Sequence, residues 1–346
     1  MNKIFPYTVV FIFVVISLTY SCKTKKNASY EQKPMPAWVT NKPQSPFYYT
    51  GISSASKQGF SPSEYIQSAQ QRALGDLAAS ISVNIESSSM LSIIENDYKI
   101  SENFSRDITA SAKQELEGYE LVDSWEDQHN YWVYYRLSKE KYQQLRSEKK
   151  ETAIKNAKSK FLQAQDMIKT KSHYNAIKYY ADALADLKPY LGENSYTLID
   201  DEKIDLGNLI FNKIASFLTS MEIYYPENEI IVKRGVELDA ELLSFQIRDK
   251  NQNPISNIPF RISFTGSGLL RNIETSGSDG KIICAIRRIS SSRNVETLSL
   301  TMDMQNFSRI SSDPVIRNII RSMPAPEKTI RVVLDKPSIF VSTHEK

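Results

Sequence analysis

The spacing of apolar residues changes several times along the chain, and each change predicts a different secondary structure. Residues 47–52 are rich in aromatic and β-branched side chains, which predicts a strand. Ser61-Pro62-Ser63-Glu64 combines a serine N-cap, a proline at the first helical position and a glutamate at the third, so a capped helix should begin here. The apolar residues that follow recur at helical spacing and predict one buried face: Ile66, Ala69, Ala73, Leu77 and Ile81.

After this helix the apolar residues recur at every second position. Alternation at Ile81, Val83 and Ile85 predicts a second strand, and a weaker amphipathic stretch over 102–115 predicts a second helix. Tyr119–Trp125 and Tyr131–Leu137 flank a polar turn and predict a hairpin. Residues 38–140 should therefore form a domain in the order β-α-β-α-β-β.

Residues 141–219 are predominantly helical in pattern. The helical pattern breaks near Lys171-Ser172-His173, which predicts a helical hairpin, and a further helix is expected near Asp201–Thr219. The spacing of Ala176, Tyr180 and Ala183 is similar to that of a tetratricopeptide repeat. Only one such unit is present, whereas an array needs about three, so we expect a hairpin rather than a repeat protein.

From residue 220 to 346 the pattern is that of short strands separated by turns. The turns are rich in Asn, Asp, Gly and Pro, as at Asp249–Pro254 and Thr275–Gly280. Such spacing is typical of a β-sandwich. The predicted strands are Leu242–Ile247, Ile258–Phe264, Lys281–Arg287, Leu298–Met304 and Thr329–Leu334. The whole chain is thus expected to be α+β, with helices and sheets in successive segments.

The first 21 residues have the pattern of a secretory signal. Lys3 precedes an apolar run from Phe5 to Leu18, which is shorter than the roughly 20 residues a membrane-spanning helix needs. The run ends at Leu18-Thr19-Tyr20-Ser21-Cys22, which looks like a bacterial lipobox, although threonine stands where leucine is usual. We expect cleavage before Cys22 and lipidation of Cys22, with residues 22–37 as a Pro-containing tether. An ordinary signal peptide with a chance cysteine and an uncleaved anchor helix remain the alternatives.

Charge and cysteine content narrow the functional classes. Removing residues 1–21 lowers the formal charge from +3 to +2, because Lys3 is the only charged residue there, and this near-neutral chain is not expected to bind nucleic acid. No acidic cluster follows Cys22, so we expect the protein on the periplasmic side of the outer membrane. Cys284 lies in an apolar segment and is expected to be a buried thiol.

Two segments carry family resemblances. In residues 36–145, Pro36-Ala37-Trp38, Tyr49-Thr50-Gly51 and Asp76-Leu77 within an alanine-rich helix resemble the LPP-twenty family of bacterial envelope lipoproteins. Val122–Trp125 and Tyr131–Tyr135 match the same family, whereas Ser53 stands where the family often has a second glycine. In the last 110 or so residues, Val- and Ile-containing strands surround the turns at Asn253-Pro254-Ile255 and Asp279-Gly280-Lys281, and this segment resembles a bacterial immunoglobulin-like module. Both resemblances imply an anchored assembly or binding protein without catalytic residues or cofactors.

Residues suited to catalysis or metal binding are scattered. His129, His173 and His344 are not at metal-ligand spacing from one another, and no GxSxG or phosphate-binding loop is present. His129 has Asp123, Glu126 and Asp127 nearby, but a solvated polar turn is the simpler interpretation. We therefore expect no enzymatic activity and no metal or cofactor.

Aromatic residues in the first domain are the better candidates for function. Trp132, Tyr134 and Arg136 share one face of the predicted strand, opposite Tyr131, Val133 and Tyr135, and could form a partner-contact patch. The alternative is that they only pack across strands. The sequence thus predicts a lipid-anchored, non-enzymatic binding or scaffold protein that contacts other envelope proteins. A structural or adhesive protein that binds peptidoglycan or another glycan through the C-terminal sandwich is the second hypothesis, and an envelope hydrolase is the third.

Overall fold

The protein is described by a computed structural model that covers residues 34–81, 116–239 and 241–335. Helices and strands alternate in segments, so the predicted α+β class is confirmed. Cys22, His344, the predicted strand at 81–85 beyond its first residue and the predicted helix at 102–115 lie outside the described residues.

The first unit is a three-stranded antiparallel sheet with a helix on one face. A short helix α1 (Ala37–Thr40) precedes β1 (Tyr48–Ser56), and α2 (Pro62–Ser80) is followed by the hairpin β2 (Glu120–Glu126) and β3 (Asn130–Ser138). The strand order is β1-β3-β2. The hairpin predicted from the sequence is therefore confirmed, with a register shift between Leu121 and Asp123.

Helix α2 begins and packs as its sequence predicts. The Ser61 N–H donates to the Glu64 carboxylate at 2.8 Å, which completes the capping box. Ala69, Ala73, Leu77 and Ile81 are buried, and they pack with Val133, Tyr135 and Leu137 of β3 in one apolar cluster. Ile66 is only partly buried.

Two long helices follow the sheet without a linker. Ser138 is both the last residue of β3 and the N-cap of α3 (Lys139–Lys169), where its hydroxyl accepts from the Lys141 N–H at 3.3 Å. Helix α3 has 31 residues and is about 46 Å long at 1.5 Å per residue. Helix α4 (His173–Leu187) packs against it, so the helical hairpin is confirmed, and Pro189 lies in a 3₁₀ turn that ends α4.

The next predicted helix is shorter than expected. Helix α5 spans Leu206–Ser220, and the residues before it form a small hairpin of β4 (Tyr196–Ile199) and β5 (Glu202–Asp205). Asp205 ends this hairpin and caps α5, because its carboxylate accepts the Asn208 N–H at 3.0 Å. The predicted start at Asp201 was therefore wrong by five residues.

Two sheets make up most of the C-terminal unit. One has five strands in the order β10 (Ile273–Thr275), β9 (Pro259–Phe264), β12 (Val295–Met302), β13 (Glu327–Asp335) and β7 (Glu229–Lys233). The other has three in the order β11 (Lys281–Ile283), β8 (Ser244–Arg248) and β6 (Glu222–Tyr224). Strand β7 runs parallel to β13, and the connection from β12 to β13 contains two short helices. These helices are α6 (Met304–Phe307) and α7 (Pro314–Ser322).

Two predicted strands differ from those observed at their C-terminal ends. The predicted strand Lys281–Arg287 ends at Ile283, and Met304, expected in a strand, begins α6. Asp303 causes the second difference, because its carboxylate accepts the Asn306 N–H at 3.1 Å and caps the helix.

One apolar core runs through the helical segment and both C-terminal sheets. Buried residues from Ala157 in α3 to Leu334 in β13 form a single cluster that includes Phe211 of α5 and Phe245 of β8. The predicted boundary between 219 and 220 therefore coincides with a change of secondary structure and not with a break in the core. The division into separate domains and the immunoglobulin-like arrangement stay predictions.

Candidate functional site

The alternation of β3 decides which of its side chains can reach a partner. Val133, Tyr135 and Leu137 point toward α2 and are buried. Successive strand residues point to opposite faces, so Trp132, Tyr134 and Arg136 lie together on the other face of the sheet and are partly exposed. Burial also raises the pKa of Tyr135, which keeps its phenol neutral in the core.

Helix α1 brings a further aromatic residue to this face. The Trp38 ring lies 5.6 Å from the Tyr134 ring, tilted by 42°. Its indole N–H donates to the Asp123 carboxylate at 3.0 Å, and Asp123 is the residue opposite Tyr134 on β2. These two contacts of Trp38 hold helix α1 against the face of the sheet that carries Tyr134.

Arg136 is held in place by two neighbours. Its Nε and Nη2 atoms donate to the same Glu120 oxygen at 3.1 and 3.0 Å, and its guanidinium carbon lies 4.7 Å from the centre of the Tyr48 ring. The hydrogen bond to Glu120 raises the pKa of Arg136, so the side chain stays charged. About 40% of the side chain is still exposed, which leaves part of the guanidinium for another group.

Trp132 contributes less to the surface than the sequence suggested. It lies opposite Trp125, which is buried, and its own Nε1 atom is buried without a hydrogen-bond partner in the described structure. The surface is therefore formed by Trp38, Tyr48, Tyr134 and Arg136, which we call the aromatic face. Sequence analysis could not have added Trp38 and Tyr48, because only the fold brings them to β3.

The same unit exposes additional apolar side chains. Phe47 precedes β1 and is 72% exposed, and Leu121 and Val122 on β2 are also exposed. Single exposed apolar residues are common on proteins. Phe47 is next in sequence to Tyr48 of the aromatic face. Leu121 and Val122 lie on β2, the strand that pairs with β3.

The His129 region forms a structured turn. The Asp127 carboxylate accepts the N–H groups of His129 and Asn130, both at 2.7 Å, and the Asn130 bond lowers the pKa of Asp127. Asp123 is engaged with Trp38. Across the described residues, no group of three or more His, Cys, Asp or Glu side chains could hold a metal ion.

Two other residues singled out in the sequence lie outside the first unit, Cys284 in the C-terminal unit and His173 in the helical segment. Cys284 is 1% exposed, and burial raises the pKa of its thiol to about 12, so it is unreactive while the protein is folded. His173 at the start of α4 is buried, stacks on Phe217 and lies 3.9 Å from the Asp249 carboxylate.

No helix among the described residues is long and apolar enough to cross a membrane. Comparison with family models, with curated proteins and with solved structures finds no match to this chain.

Proposed function

We propose that this chain is a lipid-anchored, non-enzymatic protein of the bacterial envelope that binds another envelope protein through the aromatic face. The observation that carries the proposal is the grouping of Trp38, Tyr48, Tyr134 and Arg136 on one side of the first sheet. Trp, Tyr and Arg are the residue types that dominate binding energy at protein interfaces.

The geometry supports recognition because the side chains are already ordered. Arg136 is fixed by Glu120 and Tyr48, and Trp38 is fixed by Asp123 and Tyr134. A partner that binds here loses little side-chain entropy from this chain, which favours affinity. The lipid on Cys22 would hold the face close to the membrane, since only 15 residues separate Cys22 from Trp38.

Crosslinking in intact cells followed by purification tests the binding proposal. Tyr134→Ala and Arg136→Ala should each reduce recovery of the crosslinked partner by about thirtyfold, which corresponds to the loss of about 2 kcal/mol at an interface hot spot. Trp132→Ala is less informative, because its indole nitrogen is buried and the substitution would also affect folding.

The C-terminal unit offers a matched control. Arg248 there lies 3.7 Å from the Tyr224 ring centre, and its Nε donates to Glu222 at 2.7 Å, so it repeats the Tyr–Arg–Glu arrangement of Arg136. Arg248→Ala and Tyr224→Ala should leave recovery unchanged. Equal recovery from the Arg136 and Arg248 variants would refute the role of the aromatic face.

Anchoring is tested separately. The purified native protein should have the mass of a chain that begins at Cys22 and carries fatty acyl groups. Cys22→Ser should abolish the lipid mass and release the protein from the membrane fraction. An unmodified N-terminus at any other residue would refute the anchor while leaving the binding proposal intact.

A further inference from the structure

The five-stranded sheet has a free edge at strand β7. Strand β7 pairs with β13 on one side, and no other described strand pairs with its second side. Along a strand, the backbone N–H and C=O groups of successive residues point alternately to the two sides. The Arg331 N–H of β13 donates to the Asn228 carbonyl at 2.8 Å, so the even-numbered residues of β7 face β13. The backbone groups of Glu229, Ile231 and Lys233 therefore face the free edge.

These edge groups are available for further hydrogen bonds. Among the described residues, the backbone groups of Glu229 and Ile231 that face the edge have no hydrogen-bond partner. The Lys233 carbonyl accepts the Val236 N–H in a long hydrogen bond of 3.5 Å, and a carbonyl can accept a second donor. Such a row of unpaired backbone groups is a template for pairing with another strand.

An apolar row crosses the sheet and ends at this edge. Ile231 lies beside Val333 of β13, and Val333 lies beside Val295 of β12. Paired residues point to the same face of a sheet, and the alternate residues Val232 and Val332 are buried in the core. The row therefore lies on the outward face. Its end at the edge is open, because Ile231 is 69% exposed.

Charged residues of opposite sign flank Ile231 on this face. The Glu229 carboxylate lies 2.8 Å from the Arg331 guanidinium, and Lys233 lies opposite Asp335 on β13. The free edge thus presents an acidic, an apolar and a basic side chain in that order. A rotation by 180° about an axis through the middle residue makes this order complementary to itself.

The alignment of two β7 strands that matches both charges is antiparallel and centred on Ile231. In it, Glu229 of each copy lies opposite Lys233 of the other copy. A parallel pair in register would place like charges opposite each other, which is destabilising. A shift of the antiparallel pair by two residues would place Ile231 opposite Glu229 or Lys233. In the centred pair the charges across the dimer alternate in sign, in the order Arg331, Glu229, then Lys233 and Asp335 of the second copy.

We propose that two copies of this chain associate through β7, which pairs antiparallel with β7 of the second copy about a two-fold axis at Ile231. The two five-stranded sheets become one continuous sheet, and the apolar row continues across the axis. Each hydrogen-bonded residue pair along the new interface exchanges two backbone bonds. The dimer also covers an edge that would otherwise be open to aggregation. This interface is independent of the aromatic face and of the lipid anchor.

Disulfide trapping in the full chain tests the proposal. Opposite residues of a hydrogen-bonded antiparallel pair have Cα atoms about 5.5 Å apart, within the range that a disulfide bridges. Ile231→Cys protein, purified in detergent and oxidised by air, should therefore form a dimer whose link maps to position 231 in both copies by peptide mass spectrometry. Ile273→Cys, on β10 at the opposite edge of the same sheet, is also an exposed position and should not form such a link. Absence of the 231 link, or equal linkage of the two variants, would overturn the proposal.

Charge reversal in the Ile231→Cys protein tests the alignment. Lys233→Glu and Glu229→Lys should each lower the linked fraction by about tenfold, because each places like charges opposite each other at both ends of the pair. An equal mixture of the Lys233→Glu and Glu229→Lys chains should restore linkage, since every charge then again meets its opposite. This recovery would also show that both variants are folded. Linkage that is unaffected by the single reversals, or that the mixture does not restore, would refute the alignment centred on Ile231.

Discussion

The Asp76 carboxylate in α2 accepts the backbone N–H of Ile52 in β1 at 2.8 Å. The same oxygen lies 2.7 Å from the Lys42 ammonium group. A helix side chain thus provides the hydrogen bond that a neighbouring strand would otherwise provide at this position of β1. The contact joins two of the segments that carry the family resemblance, around Gly51 and around Asp76-Leu77.

Removing this carboxylate should weaken the first unit. Asp76→Ala leaves the Ile52 N–H without its acceptor, and we expect a loss of about 1–2 kcal/mol in the free energy of unfolding. Urea denaturation of the two proteins measures it. Lys42→Ala removes only the partly exposed ion pair and should cost less than about 1 kcal/mol. An equal effect of the two substitutions would mean that the bond to Ile52 contributes little.

Gly51 should not tolerate even a methyl group. A Cβ there would lie 2.3 Å from the Ala73 carbonyl oxygen and 2.5 Å from the Leu77 Cβ, so α2 would have to move away from β1. Gly51→Ala should therefore destabilise the protein by about 1–3 kcal/mol, the usual cost of overpacking. A lower thermal midpoint in calorimetry is the expected observation.

Gly75 in α2 provides the opposite case. A Cβ at this exposed helical position meets nothing within 4 Å. Gly75→Ala should stabilise the protein by about 0.5–1 kcal/mol, because alanine favours the helix. If Gly51→Ala and Gly75→Ala changed the stability in the same direction, close packing of α2 on β1 would not explain the effect of the Gly51 substitution.

His173 should make stability depend on pH. Burial lowers the pKa of its imidazole below the ordinary 6.5, and the Asp249 carboxylate only partly offsets this effect. The unfolded chain therefore takes up a proton near pH 6.5 that the folded chain does not, and stability falls as the pH decreases through 6.5 toward the lower folded pKa. His173→Gln should flatten the plot of urea midpoint against pH between 7.5 and 5.5. An unchanged slope would contradict the assignment to His173.

Thiol counting distinguishes the two cysteines. A lipidated Cys22 has no free thiol, and Cys284 is buried with its pKa raised to about 12. The folded native protein should therefore show no rapidly reacting thiol at pH 8, and the unfolded protein should show one. A rapidly reacting thiol in the native protein would indicate that Cys22 is not acylated. Cys284→Ala should remove the slow thiol and serves as the control.

Sequence reasoning succeeded where one period persists over many residues. The alternation from Tyr131 to Arg136 assigned these six residues of β3 to the correct faces, and the capping box at Ser61 located the start of α2. The break near His173 separated α3 from α4. In these cases local geometry and burial favour the same structure.

The missed elements are short or depend on distant partners. Strands β6 and β10 have three residues each, too few to establish a period. In the turn between β4 and β5, Asp200 and Asp201 have positive φ angles of 49° and 66°. Glycine or asparagine usually occupies such positions, so the sequence Asp200-Asp201 did not indicate a hairpin turn. Helix α7 did have a signal, since Asp313 and Pro314 form a typical helix start. The aromatic face could not be predicted in full, because it forms only where α1 meets β3.

The direct passage of β3 into α3 has a mechanical consequence. With Ser138 serving as the end of one element and the cap of the next, no hinge residue lies between the first sheet and the helix. Each residue inserted after Ser138 would rotate the rest of α3 by about 100° relative to that sheet. Seven inserted residues would nearly restore the original phase, at about two full turns. The helical phase of α3 at Ser138 therefore fixes the direction of the aromatic face relative to the rest of α3 and the residues after it.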